Sequence, residues 1–220
     1  MVGNYGRGTI KSYMGEMRLL FHYFHEKDVE LIVQQDIMDY MMYIKRVHEV
    51  GRAKCRSVAQ SCAFFFKHVI QKAFVLPSKL YPRNEFRLPQ VMTQVEIEQL
   101  FSGCQDLRQR AVISLLYGCG LRCGEVQRLE HTDIERQNRR ILIRQGKGNR
   151  DRYVLLPAMV LESLAAYYRQ YKPVRYMFET PNRVGFPLHQ RSIQGIVNAA
   201  MCSAGFEVGK YPSHTLRHSY

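Results

Sequence analysis

The sequence predicts a mainly α-helical chain carrying a small antiparallel β-sheet, an α+β protein organised as two domains. Three observations lead there. Apolar residues recur at helical spacing in three successive N-terminal segments. A proline-bearing stretch without periodicity follows them. Beyond it, two short β-rich runs flank Gly146-Lys147-Gly148-Asn149, a hairpin signal set among further helical patterns.

The elements follow in order. From Thr9 to Lys27, residues Ile10, Tyr13, Met14, Met17, Leu20, Phe21 and Phe24 form one apolar stripe. Ile37, Tyr40, Met41, Ile44 and Val47 mark a second helix, and Cys55, Val58, Cys62, Phe65, Val69 and Ala73 a third. Residues 1–78 thus read as a helical domain and 79–92, with Pro82 and Pro89, as a linker. Thr93-Gln94-Val95-Glu96 is a capping box that opens the second domain, 93–220. Ala111 to Tyr117 is a buried helix stopped by Gly118 and Gly120. Arg140 to Arg144 and Arg152 to Leu156 are the strands. Pro157 starts a helix with Leu161, Leu164, Ala165 and Tyr168 on one face, and Ile193, Val197 and Ala200 line another that closes at Gly205.

Charge narrows the function. The 32 Lys and Arg against 19 Asp and Glu leave a formal +13, divided +6 and +7 on either side of residue 92. Two basic folded bodies could hold a polyanion between them. No apolar run approaches the ~20 residues of a membrane span. The N-terminus lacks the apolar core of a secretory signal. Six cysteines form no compact disulfide framework, which places the chain among reduced, cytoplasmic proteins. At the start of the third helix, Arg52, Lys54 and Arg56 oppose the helix dipole, a conflict that an external phosphate or simple solvation would relieve.

Three segments concentrate chemistry. In Gly118-Cys119-Gly120-Leu121-Arg122-Cys123-Gly124-Glu125, the glycines permit a tight bend and Arg122 falls where a helix begins. Its guanidinium, beside exposed N–H groups, suits a phosphate oxygen, and Glu125 three residues on can fix it. In Gln145-Gly146-Lys147-Gly148-Asn149-Arg150, flanking glycines present one ammonium at a hairpin tip; the spacing is not that of a Walker loop. In Ser213-His214-Thr215-Leu216-Arg217-His218-Ser219-Tyr220, helical spacing clusters His214, Arg217 and His218, while Leu216 and Tyr220 pair on another side as packing residues.

These segments, in this order and behind Leu88-Pro89-Gln90-Val91-Met92-Thr93, resemble the successive signatures of the tyrosine recombinases, the phage integrase family. The resemblance implies an N-terminal helical DNA-clamp (core-binding) domain and a C-terminal tyrosine-recombinase catalytic domain. It implies attack of a tyrosine hydroxyl on a DNA phosphodiester, a 3′-phosphotyrosyl link and a leaving 5′-hydroxyl. Arg122 and Arg217 would clamp the non-bridging oxygens, Lys147 would be the general acid, and His214 would handle the tyrosine proton. Arg52, Lys54, Arg56 and Arg150 would grip DNA. The partner is double-stranded DNA, bound by a homotetramer at two sites, with no metal or other cofactor. The family's nucleophile follows several turns after the His-x-x-Arg-His segment, so the chain reads as C-terminally truncated and unable to cleave by itself.

Three other readings stand beside this one. A DNA-binding protein that kept the clamp and lost cleavage shares the same motifs. Cys119-x₃-Cys123 and His214-x₃-His218 each fit zinc-ligand spacing in isolation. A basic RNA-binding protein would need aromatic-basic motifs that the sequence does not display.

Overall fold

The computed structural model describes residues 5–72, 88, 90–144 and 150–219. Ala73, most of the 79–92 linker, the Lys147 hairpin tip and Tyr220 lie outside the described residues. The chain divides into two compact units, Met1–Phe86 and Arg87–Tyr220.

The first unit holds α1 (Arg7–Tyr23), a 3₁₀ turn at Val29–Leu31, α2 (Gln34–Val47) and α3 (Arg52–His68). Helical periodicity places these elements because each stripe must find another to bury it. Met17, Leu20, Ile37, Tyr40, Ile44, Val58, Cys62 and Phe66 form one core. The stripes are only partly buried. Ile10 and Met14 remain 48% and 61% exposed, and Val47 and Val69 are exposed as well. α1 packs chiefly against α3, so the N-terminal half of its wide stripe instead lines an apolar cavity of about 500 Å³ with Tyr13, Phe64 and Phe65.

The second unit begins with α4 (Gln94–Ser102), whose capping box is formed as expected: Thr93 Oγ1 accepts the Glu96 N–H and Glu96 accepts the Thr93 N–H. α5 (Leu107–Gly118) is its central helix, with Ala111 to Leu116 all buried. It packs against α7 (Ala158–Tyr171), α8 (Gln190–Ser203) and α9 (Ser213–His218). Gly120, at φ +59°, turns the chain from α5 into α6 (Cys123–Arg128). β1 (Ile134–Glu135), β2 (Arg140–Ile143) and β3 (Arg152–Leu155) form an antiparallel sheet in that order. A second hairpin pairs β4 (Glu179–Thr180) with β5 (Arg183–Pro187).

Two details differ from the sequence expectation. β1 and the β4–β5 hairpin were not foreseen, because β1 and β4 have two residues each, too few for periodicity, and β5 contains Gly185 and ends on Pro187, both poor strand signals. On α7 the fully buried residues are Val160, Leu164 and Tyr167, while Leu161, Ala165 and Tyr168 are half-buried. α7 is apolar on more than one face, and packing against α5 and Phe178 selects the buried one. Among the described residues, no helix is long and apolar enough to cross a membrane.

Candidate functional site

Two six-residue helices carry the arginines that the sequence singled out. Arg122 is the residue immediately before α6, and Arg217 lies in the last turn of α9. Each helix is anchored by its apolar side: Leu121, Cys123 and Val126 around α6, and Thr215 and Leu216 on α9, are buried. The Cys123 thiol donates to Ser213 Oγ at 3.2 Å, joining the two first turns. α9 is also held from both ends. Tyr211 Oη donates to Glu96 at 2.6 Å ahead of it, and Ser219 Oγ accepts the Met92 N–H at 2.8 Å behind it.

Glu125 organises the centre. Its side chain is 3% exposed. It accepts the backbone N–H of Arg122 through Oε2 and the Arg122 Nη1 through Oε1, both at 2.9 Å. The backbone N–H of Arg122, just ahead of α6, is therefore already used by Glu125. Arg152, the first residue of β3, donates Nη1 and Nη2 to the two carboxylate oxygens at 3.0 Å each, a fork-to-fork pair. Arg217 Nη1 stands 3.7 Å from Oε2, beyond hydrogen-bonding reach. That nitrogen is buried and has no hydrogen-bond partner among the described residues.

Electrostatics follow from this geometry. Burial pulls the Glu125 pKa upward, but hydrogen bonds from Arg152 and from the Arg122 backbone and side chain outweigh it and hold the carboxyl at about 2. Glu125 is thus ionised at neutral pH. For Arg217, burial lowers the pKa and Arg122 lowers it further; Glu125 opposes them and Arg152 adds to the depression. An arginine so perturbed still keeps its proton near neutrality. Three guanidinium groups around one carboxylate leave two positive charges uncompensated. A desolvated donor with surplus positive charge around it is suited to an oxyanion, above all a phosphate.

The other predicted residues are distributed as follows. His214 is exposed on α9, its ring 5.8 Å from that of His218. Arg150 is exposed two residues ahead of Arg152. Lys147 lies outside the described residues. Arg52, Lys54 and Arg56 belong to the other unit, Arg52 exposed and the other two half-buried. Lys54 has an internal partner that the sequence did not suggest, the buried Glu16, 2.7 Å from its Nζ. Of the cysteines weighed for zinc, Cys123 is engaged with Ser213, and burial pushes the Cys119 thiol up to about 12. Among the described residues, no three His, Cys, Asp or Glu side chains gather as a metal-holding group.

Arg152 is the participant that the sequence reading missed, where it served only as a strand start. Its signal was the strand's alternation. Arg152 pairs with the buried Ile143 and shares the inward face with Val154, whereas Tyr153 and Leu155 are exposed. A charge at an inward position demands a partner.

Comparison with known proteins places the chain in a family. The sequence profile of the phage integrase family matches residues 90–220. A protein of Sinorhizobium fredii (strain NBRC 101917 / NGR234) described as an integrase/recombinase, y4qK, is 26% identical over 224 residues, covering 100% of this chain and 70% of that protein. The tyrosine recombinase of Thermosipho africanus (strain TCF52B) is 26% identical over 230 residues, covering 100% of this chain and 80% of the relative. Among solved structures, a lambda integrase dimer bound to a COC′ core site matches with a TM-score of 0.73 and 15% identity, over 98% of this chain and 82% of that one, a likeness of fold. With the profile spanning more than half of its length, the chain belongs to the phage integrase family, the tyrosine recombinases.

Proposed function

We propose that this chain acts in site-specific recombination of duplex DNA by seating a scissile phosphodiester on Arg122 and Arg217. One observation carries the reading: Arg217 Nη1, buried and without a hydrogen bond among the described residues, beside an Arg122 that a buried carboxylate holds in place. In the reaction, a tyrosine hydroxyl attacks phosphorus, a 3′-phosphotyrosyl bond forms and the 5′-oxygen leaves. Charge builds on the two non-bridging oxygens in the transition state, where fixed guanidinium donors act most strongly. Lys147 protonates the leaving oxygen and His214 takes the tyrosine proton. The covalent link conserves the bond energy, so rejoining needs no nucleotide, and no metal is invoked.

The helical unit grips the duplex with Arg52 and Arg56, and Arg150 adds a contact from the catalytic unit. Lys54, ion-paired with Glu16, adds to that grip. The working form is a homotetramer on two DNA sites in the cytoplasm. The nucleophile is not assigned to any described tyrosine. Tyr211, close to α9, commits its hydroxyl to Glu96.

Duplex binding by the 220-residue chain, measured against salt, tests the reading. Affinity should fall linearly with salt on logarithmic axes, and Arg122→Gln and Arg217→Gln should each reduce the slope by about one. Equal affinity of both variants and the unaltered chain at every salt concentration would remove the phosphate seat. A nicked duplex that traps covalent intermediates should yield no adduct with this chain. An adduct mapping to Tyr211 or Tyr220 would overturn the assignment of those residues. Binding without cleavage by a chain supplied with a recombinase tyrosine segment would favour a non-catalytic DNA-binding role.

A further inference from the structure

Glu125 has about four lone-pair positions on its two oxygens. Four donors occupy them: Arg122 N and Arg152 Nη2 on Oε2, Arg122 Nη1 and Arg152 Nη1 on Oε1. The carboxylate is saturated. This explains why Arg217 Nη1, only 3.7 Å away and drawn by the same negative charge, makes no hydrogen bond to it. Arg152 supplies two of the four donors and a compensating positive charge. It reaches the site from β3, an element of the sheet rather than of the helical layer that carries Arg122 and Arg217.

We infer that Arg152 is a positioning residue that saturates and neutralises Glu125, and so keeps Arg217 free to hold an anion beside Arg122. The inference rests on the reading of Arg122 and Arg217 as a phosphate seat. Without the Arg152 fork, two acceptor positions on Glu125 open and its negative charge loses a counterion. Arg217 Nη1 then closes the remaining gap and pairs with Glu125. The site becomes self-satisfied, and a phosphate must break an internal ion pair to enter. Arg152 itself need not touch the ligand.

The experiment is a titration of the 220-residue chain with inorganic phosphate at low salt, followed through the arginine Nε–Hε signals by NMR. Arg122→Gln and Arg217→Gln control for the seat itself. Arg152→Met should weaken phosphate binding about tenfold, the weight of one charge-assisted hydrogen bond. Its Arg217 signal should shift as Glu125 captures the side chain. Arg152→Lys keeps the charge but loses the fork, and should fall between the two. The double variant Glu125→Gln, Arg152→Met removes the capturing charge and should recover most of the lost affinity.

Arg152→Met binding like the unaltered chain, while the Arg122 and Arg217 variants bind weakly, would overturn the inference and leave the seat standing. A double variant as weak as Arg152→Met, or weaker, would also overturn it, because loss of packing is not rescued by removing a second charge. Binding insensitive to Arg122 and Arg217 would instead remove the seat. If Arg152→Met fails to fold, Arg152→Lys decides: affinity equal to the unaltered chain overturns the inference, and a several-fold loss supports it.

Discussion

Cys123 and Ser213, far apart in sequence, meet at 3.2 Å in a buried seam and join the first turns of α6 and α9. That seam is expected to help set the spacing of Arg122 and Arg217. Ser213→Ala should cost about 1 kcal/mol, since the thiol loses a weak partner. Cys123→Leu overfills the seam, should cost about 1–3 kcal/mol, and should weaken phosphate binding by pushing the helices apart. Urea denaturation with a phosphate titration separates the two effects, and equal phosphate affinity in Cys123→Leu would show that the seam does not set the spacing.

Glu125 is expected to make the second unit acid-sensitive. Its folded pKa, about 2, lies below the ordinary 4.5, so the fold favours the ionised form. The corresponding stability is fully present above about pH 4.5 and is lost as pH falls through about 2. Glu125→Gln should flatten this part of the stability profile, measured by urea denaturation at stepped pH. A profile unchanged by the substitution would mean that other carboxylates carry the acid response.

Tyr211 and Glu96 offer a cleaner titration. The Tyr211 hydrogen bond is the largest influence holding Glu96 at about 2, ahead of the Thr93 backbone. Tyr211→Phe should raise the Glu96 midpoint by about one unit, read by carboxyl NMR. Because the same bond steadies the approach to α9, His214 signals should broaden or shift in that variant.

Gly103 marks a close approach between α4 and α8. A Cβ there would stand 2.6 Å from Ala204 Cβ and 2.7 Å from its backbone N and Cα. Backbone cannot yield as a side chain does, so Gly103→Ala should cost about 1–3 kcal/mol. At Gly118 the obstacle is a single side-chain atom, Val160 Cγ2 at 2.6 Å. Gly118→Ala should cost less, and paired denaturation curves test the ranking.

Legibility in the sequence tracked the range of the physical signal. The stripes of α2 and α3, the Thr93–Glu96 box and the α5 stop at Gly118 were readable, because each is set within a few residues. The same holds for Arg122 with Glu125, an i, i+3 pair. β1, paired to Ile141 and Arg140, and β4, paired to β5, were not readable, since two-residue strands exist only through their ladders. The exposure of Ile10 and Met14 was hidden as well, because periodicity marks an apolar face without saying how much of it finds a neighbour.

Sequence alone determined the main helical segments, the β2 and β3 strands, the basic balance and the motifs that carry the family's arginines, all properties of neighbouring residues and their spacing. Tertiary structure alone decided that Arg152 joins them, that Glu125 is saturated and that one nitrogen of Arg217 has no hydrogen bond among the described residues. The physical reason is that hydrogen-bond saturation is a count of donors around one carboxylate, and half of those donors come from Arg152, on a strand that only folding brings to the start of α6.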